Sequence, residues 1–286
     1  MIDESRRGVD YRIDQVGTGK SDLLRDSALL STVFPTATQY TEPFLRWEYL
    51  ANPEGPIVGY NAFSATGEHA AHYVTQPIRA VVLGKLERGL LSFNTATHPE
   101  HQGRGLFTLL ADATFSLAKR LGFTFVVGVA NANSTPGFTR KLGFSILRQL
   151  EAKVGIGYCQ PGNVTPTAFH RVWSAECMEW RLSNPTARYC GLGRRKYSDG
   201  RRLGFRVQVT STFDVPGPTN LPFLVTHPIT LWLGLARRAK WVGVAVSIPQ
   251  QLRPSPLNLI FKDLTAQDRM LADKELFFEA IDFDAY

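Results

Sequence analysis

The sequence predicts an α/β (α+β) fold of two similar domains, each a mixed, mostly antiparallel central sheet flanked by helices. Three observations lead there. A strand, a glycine turn, a helix and a second strand follow one another across residues 90–130. A meander of short apolar strands precedes them. A short element, Phe44-Leu-Arg-Trp47 running to Asn52-Pro53, recurs as Met178-Glu-Trp180 running to Asn184-Pro185, as a duplicated unit would. Length and composition agree: 286 residues exceed the roughly 150 of one such domain. A hydrophobic fraction of 44% with 11% aromatics can furnish two cores.

Each element follows from local pattern. The first Trp element carries apolar residues at helical spacing and stops at Asn-Pro, where the residue before proline leaves the helical region. Strands are expected at 57–64, 70–75 and 81–85, then at 90–97. The turn Gln102-Gly103-Arg104-Gly105 leads into a helix over 106–121, with Leu106, Leu109, Leu110, Ala113 and Leu117 on one face. Residues 123–130 form a continuous apolar run, the pattern of a buried parallel strand. In the second half strands are expected at 189–191, 203–210 and 223–226, a helix at 228–239, and strands at 241–247, 257–261 and 277–283. The boundary is placed in 159–169, which holds Pro161, Gly162 and Pro166. Residues 1–160 then form the first domain and 161–286 the second. Since His227-Pro228 precedes the second helix where a glycine turn would stand, the second domain is expected to lack a phosphate site.

The turn at 102–105 carries chemistry. It aims unpaired backbone N–H groups at solvent where the following helix dipole is positive, so it suits an anion. Gly103 and Gly105 let backbone approach a diphosphate, and Arg104 adds a charged donor. Further on stand Asn131-Ala-Asn-Ser134 and Arg140-Lys-Leu-Gly-Phe144. This constellation, over residues 90–154, resembles the GNAT superfamily of acyl-CoA N-acyltransferases, whose pyrophosphate turn has the form Arg/Gln-x-x-Gly-x-Gly/Ala. The resemblance implies acetyl-CoA or another acyl-CoA as donor, and no metal. It implies that backbone near Thr97 pairs with the pantetheine amides, that Gln102, Gly103, Arg104, Gly105, Leu106 and Phe107 hold the pyrophosphate, and that Asn131 and Ser134 lie near the pantetheine arm. Three departures stand out. Phe107 replaces a small residue, so its ring must turn away from the phosphates. Thr139 stands where many members carry an acidic Tyr, and Leu91 where some carry a basic Glu. Thr95, able to orient a water, and His98, able to titrate near neutrality, are the remaining catalytic candidates; an ordinary loop histidine is the plainer reading of His98.

The implied reaction is N-acetyl transfer by direct attack of a small-molecule amine on the thioester. The Trp…Asn-Pro lead and the Thr-His-Pro-Glu exit resemble acyltransferases of surface-polysaccharide and amino-sugar pathways, so an amino sugar is the favoured acceptor. The alternatives are a sensor or scaffold that binds acyl-CoA without turnover, and a protein or peptide N-acetyltransferase. Trp47, Tyr49, Trp173 and Trp180 read as core, with stacking on a sugar or base as the other use.

A net charge of +7 and a pI near 9.4 favour anionic ligands. The basic clusters at 194–196, 201–202 and 237–238 are short and carry no nucleic-acid signature, so no nucleic acid is expected. Cys159, Cys177 and Cys190 form no Cys-x-x-Cys pair, which suits a reducing cytoplasm. Residues 1–7 show no export pattern, and the apolar stretch 229–248 is broken by basic residues, so no membrane span is expected. Edge strands of a duplicated fold offer a homodimer contact. Gly17-Thr-Gly-Lys-Ser21 lacks the first glycine of a phosphate-binding loop, with Asp14 in its place. His69…His72 and His98…His101 have ligand-like spacing, but the first pair falls in a strand and the second in a proline turn, so neither is expected to bind metal.

Overall fold

The computed structural model describes residues 11–160, 168–192, 195–198, 206–210, 228–236, 239–271 and 274–283. The expected strand at 223–226, residue His227, the middle of the 159–169 boundary and most of the basic clusters lie outside them. In chain order the elements are β1 (Arg12–Gln15), α1 (Lys20–Val33), α2 (Glu42–Leu50), β2 (Val58–Phe63), β3 (His69–Val82), β4 (Lys85–Thr97), α3 (Leu106–Arg120), β5 (Phe125–Ala130), β6 (Ser145–Gln149) and β7 (Glu151–Gln160). Then come β8 (Phe169–Val172), α4 (Ala175–Leu182), β9 (Tyr189–Leu192), β10 (Arg195–Ser198), β11 (Arg206–Thr210), β12 (Ile229–Ala236), β13 (Lys240–Ser247), β14 (Asn258–Asp263) and β15 (Phe277–Glu279).

Two mixed, mostly antiparallel sheets result, as the sequence pattern requires. The first runs β1-β2-β3-β4-β5-β14-β6, with β8 also paired to β3; only β4 and β5 are parallel. Helix α3 buries Leu106, Leu110, Ala111, Phe115 and Ala118 against one face of this sheet. Helices α1 and α2 cover the other face through Leu23, Leu30, Phe44, Leu45 and Tyr49, which meet Val74 and Ala96. The second sheet runs β13-β7-β12-β11-β10-β9, with β15 also on β12.

Several expectations are corrected. The two strands expected at 70–75 and 81–85 are one strand, β3, turning into β4 at Leu83 and Gly84, both at positive φ. Pro77 pairs with Leu90 of β4 and lies between the β2 and β8 pairings, so its missing N–H costs no ladder bond. The helix expected at 228–239 is the strand β12, held between β7 and β11. A short run that is apolar on all sides fits a buried strand as well as a helix. Helix α1 and strands β1, β6, β7, β8 and β10 were not expected at all. The division at 160/161 does not separate the sheets: β7 belongs to the second, and β14, from the far end of the chain, sits inside the first between β5 and β6.

The two Trp elements meet. Trp47 and Trp180 stack at 5.0 Å; the Trp47 indole donates to the Trp180 carbonyl (2.8 Å) and the Trp180 indole to the Trp47 carbonyl (3.1 Å). Asn52 and Asn184 each accept from the N–H two residues on. Both indoles are buried in one core cluster. At the start of α1, the Asp22 carboxylate accepts from Gly19 N–H (3.2 Å), so a side chain already fills the place an anion would take.

Candidate active site

Parallel pairing of β4 with β5 covers only Leu90, Leu91 and Ser92, opposite Val126, Val127 and Gly128. Beyond Ser92 the strands part, and among the described residues no strand pairs with the edge of β4 that faces β5 as far as Thr97. A bulge marks the same place. His72 pairs with Ala96 and Val74 with Phe93, so Asn94 and Thr95 together oppose Tyr73. Asn94 takes φ 43°, in the left-handed region that Asn tolerates.

The glycine turn sits at the end of β4. Gly103 and Gly105 have φ of 76° and 77°, and a Cβ on either would touch nothing within 4 Å. Here backbone conformation, not space, demands glycine. Gly105 caps α3 with no side-chain cap and no acidic residue in the first turn. The backbone N–H groups of residues 103–108 form no hydrogen bond among the described residues, which leaves them for a ligand. Gln102 Nε2 reaches the Thr97 carbonyl at 3.5 Å. Arg104 donates to Tyr11 Oη (2.9 Å) and to the Glu100 carbonyl (3.1 Å). The Phe107 ring points into the core, edge-on to Tyr73 and Phe138 at 6.0 and 5.1 Å, while its N–H stays at the turn.

Because β4 and β5 are parallel, the turn after β5 faces the same end. Asn131 Oδ1 accepts from the N–H groups of Asn133 and Ser134 at 3.0 and 2.9 Å, and Asn131 N–H donates to Ser134 Oγ. Asn131 and Ser134 therefore shape that turn. Residues 255–258 brace it: Ala132 N–H donates to Ser255 Oγ, and Asn258 Nδ2 to Thr135 Oγ1. Thr139 donates to the Thr135 carbonyl (2.9 Å), and Leu91 is buried in the core. Thr95 is half-buried and has no side-chain hydrogen bond among the described residues. His98 lies at the β4 exit, 3.8 Å from Glu68.

Sequence reasoning missed a buried polar chain behind the bulge. Asn94 Nδ2 donates to Glu48 Oε2 (2.6 Å) and reaches Tyr49 Oη (3.4 Å). Tyr49 Oη lies 2.8 Å from His72 Nε2, and His72 Nδ1 lies 2.6 Å from Asn61 Oδ1. Asn61 Nδ2 donates to Asp26 Oδ1 (3.0 Å). Burial dominates this chain. It lifts the Asp26 carboxyl to about 7, against the Asn61 hydrogen bond. It drives His72 well below the ordinary imidazole range, with His69 adding to the effect, and it raises Tyr49 so that the phenol stays protonated. No local motif announces these residues, since α2 reads as an apolar helix and Glu48 sits between two aromatics.

Residues 18–147 match the model of the acetyltransferase (GNAT) domain. This stretch is a GNAT domain. Solved structures agree in fold: a probable N-acyltransferase from Enterococcus faecalis V583 superposes with TM-score 0.59 at 10% identity, over 89% of this chain and 73% of that one. A GCN5-related N-acetyltransferase from Kribbella flavida gives 0.58 at 10% identity, over 88% and 71%, and one from Anabaena variabilis ATCC 29413 gives 0.52 at 10%, over 89% and 73%. Comparison with curated proteins finds no match. The GNAT fold is that of N-acyltransferases drawing on acyl-CoA. The matched stretch stops in β6, so β14 completes the GNAT sheet from outside it. No helix among the described residues is long and apolar enough to cross a membrane.

Proposed function

We propose that the protein is an N-acetyltransferase that moves an acetyl group from acetyl-CoA to the amine of a small acceptor. The observation that carries this reading is the opened edge of β4 running into a glycine turn whose N–H groups are unspent. In this reading the pantetheine arm adds along β4 between Asn94 and Thr97, as an extended ligand adds to a sheet edge. The pyrophosphate rests on the N–H groups of 103–108, with Arg104 released from Tyr11 to meet it. The thioester carbonyl then lies at the bulge, where a backbone N–H near Thr97 polarises it. The amine attacks the carbonyl carbon, and the tetrahedral intermediate expels the thiolate, a tolerable leaving group without a positioned acid.

The attacking nitrogen must shed a proton. Glu48 is the carboxylate at the bulge, and we assign it as the acceptor of that proton, directly or through water. Thr95 orients the water and Asn94 fixes the carboxylate; His98 sits farther out, at the cofactor turn. Burial pushes the Cys159 thiol up to about 12 and raises Cys177 as well, which disfavours either as a covalent acyl carrier. The acceptor class rests on the sequence resemblance, which favours an amino sugar.

Calorimetric titration with acetyl-CoA tests the cofactor site. Wild-type protein should bind it, and Arg104→Glu and Gly105→Asp should each lower affinity at least tenfold by setting a carboxylate in the anion site. Equal binding by all three forms would move the anion site away from 102–107, and no binding by any of them would make 102–107 a plain turn and end the acyltransferase reading.

A further inference from the structure

Glu68, His98 and His101 converge beside the glycine turn, for reasons that lie in the backbone. Glu68 immediately precedes β3 and His98 immediately follows β4. The antiparallel ladder, with Ala71 opposite Thr97 and His98 N–H bonded to the Ala70 carbonyl at 2.9 Å, sets them side by side. The 3-10 helical turn Pro99–His101 then swings His101 back to the same carboxylate. His101 Nε2 lies 2.9 Å from Glu68 Oε2 and His98 Nδ1 lies 3.8 Å from Glu68 Oε1. One ligand atom from each residue fits within a span of 4.8 Å.

The surroundings resemble the support a metal ligand needs. The other nitrogen of His101, Nδ1, is 2.8 Å from Tyr11 Oη, and that hydroxyl accepts from Arg104 at 2.9 Å. With a cation on Nε2, the Nδ1 proton points at Tyr11, which fixes tautomer and ring orientation. Glu68 is anchored through its backbone: its N–H donates to Ser64 Oγ and its carbonyl accepts from Ser64 N–H. The hydrogen bond from His101 holds the Glu68 carboxyl below its ordinary range, so it is ionised at neutral pH. An exposed carboxylate–imidazole pair gains little alone, and His98 Nδ1 is too far from Glu68 to hydrogen-bond to it.

We propose that Glu68, His98 and His101 form a binding site for a divalent transition-metal ion of the zinc class. Two imidazole nitrogens and a carboxylate oxygen are a donor set that zinc favours. The Glu68 side chain is 44% exposed and the His98 side chain 22%, so solvent reaches the fourth position. The ligand atoms, within 4.8 Å of one another, must draw in to about 3.4 Å to meet tetrahedral ligand bonds of roughly 2.0–2.2 Å; Glu68, on an exposed hairpin, supplies that movement. The proline turn does here what one face of a helix would do for an i, i+3 pair.

Zinc titration of chelator-stripped full-length protein, against a chromophoric competitor, tests the site without acyl-CoA, so its failure leaves the transferase reading intact. One ion should bind per chain at pH 7.5. Glu68→Gln and His101→Ala should each weaken binding at least tenfold, and Tyr11→Phe about tenfold through the His101 tautomer. His69→Asn, in the buried Asp26–His69–His72 cluster, should leave it unchanged, and unchanged thermal unfolding without metal would show the variants folded. Absence of zinc binding by the wild type, binding that survives the Glu68→Gln, His101→Ala double variant, or loss only with His69→Asn would overturn the assignment.

Discussion

Asn94 takes a left-handed backbone at the bulge and commits its side-chain amide to Glu48 and Tyr49. If Glu48 takes the amine proton, Glu48→Gln keeps the hydrogen-bonding shape and removes the base, so kcat should fall about 10²–10⁴-fold with KM for acetyl-CoA nearly unchanged. An equal rise in KM instead would make Glu48 a binding residue. Deeper in the chain, Asp26 is fully buried and its carboxyl is lifted from 3.8 to about 7. The sign follows from which state holds the proton. Between those values the folded protein keeps it and the unfolded chain does not, so this contribution favours folding below about 4 and is lost as pH rises to about 7. His69, lowered by burial from 6.5 to about 4, acts oppositely and favours folding as pH rises through that window. Asp26→Asn should therefore raise stability at pH 8 relative to pH 4, on the order of 1–3 kcal/mol in urea unfolding. An identical pH profile in both proteins would mean that Asp26 titrates normally. Gly103, Gly105 and Asn131 were legible because turns demand particular residue types. Glu48, His72 and Asp26 were not, since contacts between residues 23 to 46 positions apart in sequence leave no local pattern.

Among the elements, those with a strong period or punctuation were readable. Helix α3, strand β5 and the parallel β4–β5 pair follow from apolar spacing and the glycine turn. Strand β12 was not, because a mostly apolar run of eight residues suits a buried strand and a helix alike, and its neighbours on both sides decide the matter. The segment after β14 shows how much one side chain can fix. Arg269 bonds Asp263 at 2.8 Å, Glu87 at the start of β4 at 2.8 Å, and the Thr124 carbonyl ahead of β5 at 3.0 Å. Burial alone would raise the Asp263 carboxyl, but hydrogen bonds from Arg269 and Thr265 outweigh it and hold it at about 2. Arg269→Ala leaves two nearly buried carboxylates facing each other without a cation. It should cost about 3 kcal/mol in urea unfolding, and Arg269→Lys should recover only part, since one ammonium cannot span three acceptors. A loss under about 0.5 kcal/mol would show that the network adds nothing beyond an exposed pair.

At the scale of the whole molecule, the chain leaves the first sheet for the second where β6 meets β14. Gln149 at the end of β6 pairs with Asn258 at the start of β14, and Leu150 N–H donates to the Leu257 carbonyl at 2.8 Å. The chain from 151 to 256 leaves and returns at that point, and on the way β8 adds to β3 of the first sheet and Trp180 stacks on Trp47. The Pro- and Gly-bearing stretch at 159–169 suggested a linker, but chain order and sheet membership part company here, and no sequence period records that β14 will close a sheet begun over a hundred residues earlier. Leu259, Ile260 and Phe261 are essentially fully buried. At about 1.5–3 kcal/mol for each buried side chain, their loss rivals the roughly 5–15 kcal/mol that holds a domain folded, and β5 would be left as an open apolar edge. A chain ending at residue 160 should therefore be insoluble or unfold without cooperativity. Joining residue 150 directly to 257 through a short turn keeps β14 and discards β8 and all of the second sheet but β15. That protein should unfold cooperatively, though less stably than the full chain because Trp47 loses Trp180 and β3 loses β8. If the 160-residue piece folds cooperatively and the joined form does not, the first sheet closes without β14 and the division at 160 is a true domain boundary.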